Sequence, residues 1–110
     1  MVRFVDKPYV TDSARRKLSS IKWKMACGIG IAGISFITLS DNKNDLFDIY
    51  PSAVFKQKSM RRRDIVILGV AHSNDSAKEL VGEMISRCMN DRGNTSDIRG
   101  YFEEYIKDHL

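Results

Sequence analysis

The sequence has few of the residues that mark a disulfide scaffold, a zinc site or a membrane span. Its two cysteines, Cys27 and Cys88, match no zinc or redox spacing and lie among apolar neighbours. We interpret both as buried free thiols in a reducing compartment. The longest apolar run, 25–39, contains three glycines and is only 15 residues long, whereas a spanning helix needs about 20. These absences predict a cytoplasmic protein without a membrane span.

Histidine is equally scarce, which limits the chemistry that the chain can perform. His72 is the only internal histidine, and His109 lies in the C-terminal tail. A catalytic nucleophile needs a base within hydrogen-bond reach, and the sequence suggests no partner for His72. Glu79 and Glu83 lie one helical turn apart without a further metal-ligating neighbour. We therefore expect no catalytic residue, no metal and no cofactor, and an enzyme is the least expected class.

Length and composition instead indicate one ordinary folded domain. The 110 residues are 43% hydrophobic and 29% charged, which is typical of a chain with a single hydrophobic core. Residues 1–10 show no period and contain Pro8, so they are predicted to form an N-terminal arm. Residues 11–110 are predicted to form a single α/β domain.

The clearest pattern is a strand that leads directly into a helix. Residues 65–70 are an apolar, β-branched run that ends at a polar turn, 73–75. Apolar residues then recur at spacings of three and four, which predicts a helix over 75–90. A strand followed by such a helix is half of an α/β layer.

The remaining pattern predicts further helices around one more strand. A helix is predicted over 12–25, although the alternation of Ile21, Trp23 and Met25 with lysines is also compatible with a strand. The other predicted elements are a strand over 31–39, two helical turns over 45–50, an irregular connection over 52–63, a helix C-cap at Gly93 and a last helix opened by Thr95 and Ser96.

The resulting order is α-β-α-β-α-α, and the predicted fold is a small sheet of two to four strands covered by helices. Two strands joined by a helical crossover are expected to be parallel if they are neighbours. A sheet of two or three strands would be thin, and its edges would be open. We therefore expect an additional strand from residues 2–5 or 53–57, or a homodimer that pairs edges.

A glycine motif occurs at 28–33, with the letters of G-x-G-x-x-G. In a dinucleotide site these glycines follow a strand and precede a helix, whereas here they precede a predicted strand. We interpret the motif as a glycine-rich turn.

A stronger candidate anion site lies at the strand-to-helix turn 71–74. Ligands of open α/β sheets favour this position, and His72, Ser73 and Asn74 could contact a phosphate or carboxylate there. The alternative is that Ser73 and Asn74 only cap the following helix.

Positive charge is concentrated in two segments of the chain. Residues 15–24 and 56–63 are basic, whereas 71–110 carry five basic and eight acidic side chains. Such clusters can neutralise nucleic-acid phosphates, although a solvated loop is the alternative. The candidate nucleic-acid contacts are Arg15, Arg16, Lys17, Lys56, Lys58, Arg61, Arg62 and Arg63.

Several short motifs are similar to a group of short uncharacterised bacterial proteins from Gram-positive anaerobes. The similarity covers roughly residues 20–90 and includes Trp23-Lys24, Ile37-Thr-Leu39, Leu46–Tyr50, Phe55–Gln57, Arg62–Ile65 and Gly69–Ala71. It implies a bacterial cytosolic protein and no particular activity.

Together these observations favour a non-enzymatic binding or assembly module that acts through self-association or a protein partner. Two alternatives are a nucleic-acid-binding accessory protein that uses 15–24 and 56–63, and a protein that binds a small phosphate-bearing ligand at 71–74.

Overall fold

The computed structural model describes residues 2–29, 31, 33–41, 45–94 and 96–110. These residues form one four-stranded sheet with helices on both faces. The strands are β1 (Val2–Val10), β2 (Ser35–Leu39), β3 (Phe47–Pro51) and β4 (Ile65–Ala71). The helices are α1 (Asp12–Arg15), α2 (Leu18–Ala26), a 3₁₀ helix (Ser52–Lys56), α3 (Lys58–Arg61), α4 (Asn74–Arg92) and α5 (Ile98–His109). The predicted α/β class is confirmed.

The strands lie in the order β1-β4-β2-β3 and form a mixed sheet. β1 runs parallel to β4, whereas β2 is antiparallel to both β3 and β4. The expectation that the two sequence-predicted strands would be parallel neighbours is therefore wrong. The reason is β3, which reverses the chain before the helical connection begins, so that the connection joins β3 to β4 in the same direction.

The segment predicted to be an N-terminal arm is the edge strand β1. Val2 to Phe4 pair with 65–67, and Tyr9 and Val10 pair with 69–70. The register shifts between these two stretches, and Pro8 lies within the interruption. Because proline cannot donate a ladder hydrogen bond, it is accommodated where the ladder is already broken. The predicted extra strand at 2–5 lies within β1, whereas 53–57 belongs mainly to the 3₁₀ helix.

The two helical turns predicted over 45–50 are replaced by β3. Phe47 and Ile49 pack against one face of the sheet and Tyr50 against the other. This alternation is the two-residue period of a strand, and it pairs β3 with β2 in a hairpin. The short segment was too brief to show the helical period that we inferred.

The helix predicted over 12–25 is present as α1 and α2, with a turn at residues 16–17. Ile21 and Met25 are buried one turn apart, while Trp23 is 62% exposed. The strand alternative for this segment is therefore wrong.

The ends of the two C-terminal helices were predicted from glycine and cap residues. Gly93 ends α4 with φ 76°, as predicted. α5 begins after Asp97, whose side chain accepts from the Gly100 N–H; Thr95, predicted to open this helix, lies outside the described residues.

Two hydrophobic cores lie on opposite faces of the sheet. On one face Leu68 and Ile37 pack with Leu80 and Met84 of α4 and Phe102 of α5. On the other face the core joins α1, α2 and the 3₁₀ helix to the sheet; its buried members are Ala14, Ile21, Met25, Ile34, Phe36, Phe55, Ile65, Ile67 and Val70. The molecule is thus a three-layer α/β/α arrangement. Cys88 is buried in the first of these cores, as predicted, whereas Cys27 is exposed just after α2, so the prediction that it is buried is wrong. Among the described residues, no helix combines the length and the apolar character needed to cross a membrane.

Candidate functional site

The strand-to-helix turn after β4 is held by a hydrogen-bonded cap. Ser73 is the N-cap of α4, and its Oγ accepts from the Ser76 N–H at 3.0 Å. The Ser73 hydroxyl also donates to Ser76 Oγ at 2.9 Å. Serine is favoured at this position because its side chain satisfies an N–H group that has no partner within the helix.

His72 joins this cap to the chain segment that follows β1. Its Nδ1 lies 3.0 Å from Thr11 Oγ1, and its Nε2 lies 2.8 Å from Ser76 Oγ. The Thr11 N–H donates to the Val70 carbonyl, so β1 and β4 are also joined here through the backbone. The ring of His72 is exposed to solvent, and a neutral imidazole can donate from one nitrogen and accept at the other.

Asn74, the third candidate ligand, connects α4 to β2. Its Oδ1 accepts from the buried Ser35 hydroxyl at 2.9 Å. His72, Ser73 and Asn74 therefore do lie together at the carboxyl end of β4, and each side chain has a partner within the protein. Thr11, Ser35 and Ser76 belong to the same network and were not predicted. Of these three, only Ser76 could have been inferred from the sequence, because it stands four residues after His72, about one helical turn away.

The Ser76–His72 pair has the spacing of a nucleophile and a general base. Acyl transfer also requires N–H donors that can hold an oxyanion. The N–H groups of Ser76 and Ala77 already donate to Ser73. The geometry is thus that of a serine N-cap, and the hydrogen-bond network positions α4 on the sheet.

The clefts on either side of this turn differ in charge. The cleft beside His72 is lined by Asp12, Glu79 and Glu83 as well as by Arg15. The opposite cleft is lined by Ser73, Asn74 and Ser52 together with Lys56. An anion would meet carboxylates in the first cleft and a cation in the second. In the described part of the chain, no three His, Cys, Asp or Glu side chains are arranged to hold a metal ion.

The two basic segments come together on one face of the sheet. α2 and the 3₁₀ helix both pack on this face, through Ile21 and Phe55. Lys22 of α2 and Arg61 of α3 line the same cleft, beside Phe4 of β1. We call residues 11–29 and 52–63 the basic layer. These residues contain ten Lys or Arg and a single acidic residue, Asp12.

The opposite face carries the reverse charge. α4 and α5 cover it, and we call residues 74–110 the acidic layer. They contain five Lys or Arg and eight Asp or Glu. Because the sheet separates the two layers, the protein presents a positive surface and a negative surface rather than a uniform distribution of charge.

The predicted nucleic-acid contacts differ in their surroundings. Arg61 Nη1 donates to the Phe55 and Lys56 carbonyls at 2.9 and 2.8 Å. Arg63 forms an exposed ion pair with Asp41, 3.6 Å apart. Arg62 is exposed just after α3, and Arg15 lines the cleft beside His72. Arg16, Lys17, Lys56 and Lys58 are exposed to solvent.

Arg61 also accounts for part of the glycine motif. Gly28 has φ 73°, and a Cβ atom there would lie 2.8 Å from the Arg61 guanidinium. Gly33 has φ 79° and lies close to the His72 carbonyl. Both glycines therefore serve a turn with close approaches, as the sequence indicated; Gly30 lies outside the described residues. Arg61 of α3 therefore lies against the turn that follows α2.

Trp23 was not among the predicted contacts, although it stands in the basic layer. It is the chain's only tryptophan and is more exposed than any other large hydrophobic side chain among the described residues. The sequence signal was its position between Lys22 and Lys24.

A scan of protein-family models, a search of curated proteins and a search of solved structures found no significant match. The resemblance to bacterial proteins from Gram-positive anaerobes stays a prediction.

Proposed function

We propose that the protein is a non-enzymatic, nucleic-acid-binding accessory protein that uses its basic layer. The observation that carries the proposal is the convergence of residues 15–24 and 56–63 on one face of the sheet. Ten cations with one carboxylate in the same layer form a surface that attracts a polyanion. A solvated basic loop would not require two segments distant in sequence to adjoin.

The acidic layer indicates which side of the protein a nucleic acid would avoid. With its excess of carboxylates it would repel the same polyanion, so that binding is expected on one side only. Lys17 and Lys58 are exposed and belong to different segments of the basic layer. Both would contact phosphate if the layer acts as one surface.

Self-association through a sheet edge receives less support from the geometry. The expectation arose because a sheet of two or three strands would be thin; the sheet has four strands, with β1 and β3 at its edges. The edge strand β1 is interrupted in register and carries Asp6, Lys7 and Pro8 at the interruption. Charged residues, proline and register breaks are devices that discourage edge pairing.

The test is binding of a labelled oligonucleotide, measured by fluorescence anisotropy as salt is increased. With about six phosphate contacts, affinity should fall by roughly a thousandfold between about 50 and 200 mM salt. Replacing Lys17 and Lys58 together by Gln should make the salt dependence shallower, by about 0.7 to 0.9 in logarithmic slope for each lost contact. If neither DNA nor RNA binds at low salt, the proposal is contradicted.

The matched control removes the same charge from the other face. Lys78 and Lys107 are exposed lysines of the acidic layer, and their double replacement by Gln should leave the salt dependence unchanged. If both double variants weaken binding equally, net charge rather than the basic layer is responsible.

A further inference from the structure

We infer that Trp23 is a stacking platform and that the basic layer takes single-stranded rather than duplex nucleic acid. This inference rests on the proposed function and names the class of its ligand. Ile21 and Met25 are 1% and 5% exposed and face the sheet, whereas Trp23 is 62% exposed. At about 100° per residue, Trp23 lies on the opposite side of α2 from both.

The side chains around Trp23 leave its ring uncovered. On a helix, a side chain is covered mainly by residues three and four positions away. For Trp23 these residues are small and exposed: Ser19, Ser20, Ala26 and Cys27. The ring contacts found among the described aromatic residues involve Phe, Tyr and His, and none involves Trp23. A planar apolar surface therefore faces solvent.

The charges beside the indole fit a nucleotide chain. Lys22 and Lys24 precede and follow Trp23 along α2, which contains no acidic residue. The Lys22 ammonium lies 5.6 Å from the centroid of the Phe4 ring, so a strand stacked on Trp23 would pass between this cation and Lys24. Single-strand binders combine aromatic side chains, on which bases stack, with cations that follow the phosphates. The bases of a duplex are already stacked on one another, so an indole on a convex helix surface cannot reach their faces.

The outward face of α2 makes a lipid surface a poorer match. A helix that lies in a membrane interface buries a continuous apolar face. Here the neighbours of Trp23 include Ser19 and Ser20, while the aliphatic side chains Ile21 and Met25 are committed to the core. A single aromatic ring between lysines is suited to one base rather than to acyl chains.

The experiment is a titration of intrinsic tryptophan fluorescence with an unstructured single strand and with the duplex of the same sequence. Because Trp23 is the only tryptophan, the signal reports on this site alone. Stacking should quench the emission with the single strand, and the duplex should bind more weakly and quench little. Trp23→Ala should lower single-strand affinity on the order of tenfold, as for loss of one stacked base, with duplex affinity nearly unchanged.

Two variants separate stacking from general damage. Trp23→Phe should retain part of the single-strand affinity, since a smaller aromatic ring remains. Met89→Ala removes an exposed apolar side chain from the acidic layer, where Met89 is 46% exposed, and should have no effect. Circular dichroism and thermal midpoints must show that each variant is folded.

The outcomes distinguish this inference from the proposed function. Equal binding of single strand and duplex, unaffected by Trp23→Ala, would overturn the inference while the basic layer still bound nucleic acid. Failure of both nucleic acids to bind at low salt would overturn the proposed function and this inference with it. A blue shift with anionic phospholipid vesicles, without any response to oligonucleotides, would assign the platform to lipid.

Discussion

The acidic layer and the basic layer cover the same sheet but are built differently. The acidic layer consists of two long helices, of 19 and 12 residues, with Ser73 and Asp97 as side-chain N-caps and Gly93 as a C-cap. The basic layer consists of helices of four, nine and four residues and a 3₁₀ helix, and none of these has a side-chain N-cap hydrogen bond. Long, capped helices gain more from their own hydrogen bonds than short ones do.

The difference indicates how the molecule divides its roles. Helices as short as those of the basic layer are not stable alone, so they depend on burial of Ile21, Met25 and Phe55 against the sheet. Their outward surface is then free to carry like charges. The acidic layer supplies local stability, and the basic layer supplies the surface proposed to bind a ligand.

The largest expected effect is on the acidic layer, at Phe102. This side chain is fully buried and packs edge-to-face with Phe47 and Tyr101, at centroid distances of 5.2 and 5.0 Å. Phe102→Ala should lower the free energy of unfolding by about 3–5 kcal/mol, measured by urea denaturation. The exposed neighbour Glu103 provides the control, and Glu103→Ala should change stability by no more than about 0.5 kcal/mol. A small loss at Phe102 would contradict the assignment of this core.

A smaller effect is expected in the basic layer, at Arg61. Its guanidinium donates hydrogen bonds to the Phe55 and Lys56 carbonyls and lies against the turn at Gly28. Arg61→Ala should destabilise the protein by about 1–3 kcal/mol, because two carbonyls lose a charged donor. Lys58→Ala, at an exposed cation of α3, should leave stability nearly unchanged. Equal stability of the two variants would mean that Arg61 is a surface charge like its neighbours.

The smallest expected effect is a loss of stability at alkaline pH, which we attribute to the tyrosines that pack at the acidic layer. Burial raises the pKa of Tyr9, of Tyr101 and of Tyr105. At Tyr101 a hydrogen bond from the phenol to Asp91 adds to the effect. The folded state therefore keeps these protons where the unfolded chain, with tyrosine pKa values of about 10, loses them. It follows that the free energy of unfolding should fall as pH rises through and above about 10.

Urea unfolding across this pH range, with tyrosinate absorbance as a second signal, would check the sign. Tyr101→Phe removes one of the titrating groups and should make the fall of stability with pH shallower. An unchanged dependence on pH in this variant, or stability that rises in this range, would contradict the attribution.

The β4–α4 unit could be predicted because its signals are local. The apolar run of β4, the cap at Ser73 and the glycine at 93 lie in consecutive stretches of chain. β1 was predicted mainly as an arm, with a strand at 2–5 as one alternative, because Pro8 obscures a strand whose ladder is interrupted between Phe4 and Tyr9. β3 was missed because five residues are too few to distinguish a two-residue period from a 3.6-residue period, and its pairing with β2 is what decides the matter.

The candidate site likewise combines features that the local sequence predicts with contacts that only the tertiary fold creates. The position of His72, Ser73 and Asn74 at a strand-to-helix turn followed from the local pattern. Their partners did not, since Thr11 is 61 residues from His72 and Ser35 is 39 residues from Asn74. No local periodicity links residues so far apart; only the pairing of β4 with β1 and β2 brings them together.

The sequence by itself determined that a buried strand leads into a long amphipathic helix and that positive charge is concentrated in two segments. Both properties are local, because hydrophobic period, helix caps and charge depend on neighbouring residues. Only the tertiary structure decided that those two segments adjoin on one face, that α4 and α5 place the acidic residues on the other, and that the indole of Trp23 points to solvent. These depend on strand order and on which side of the sheet each connection crosses, and such properties are set by packing over the whole chain.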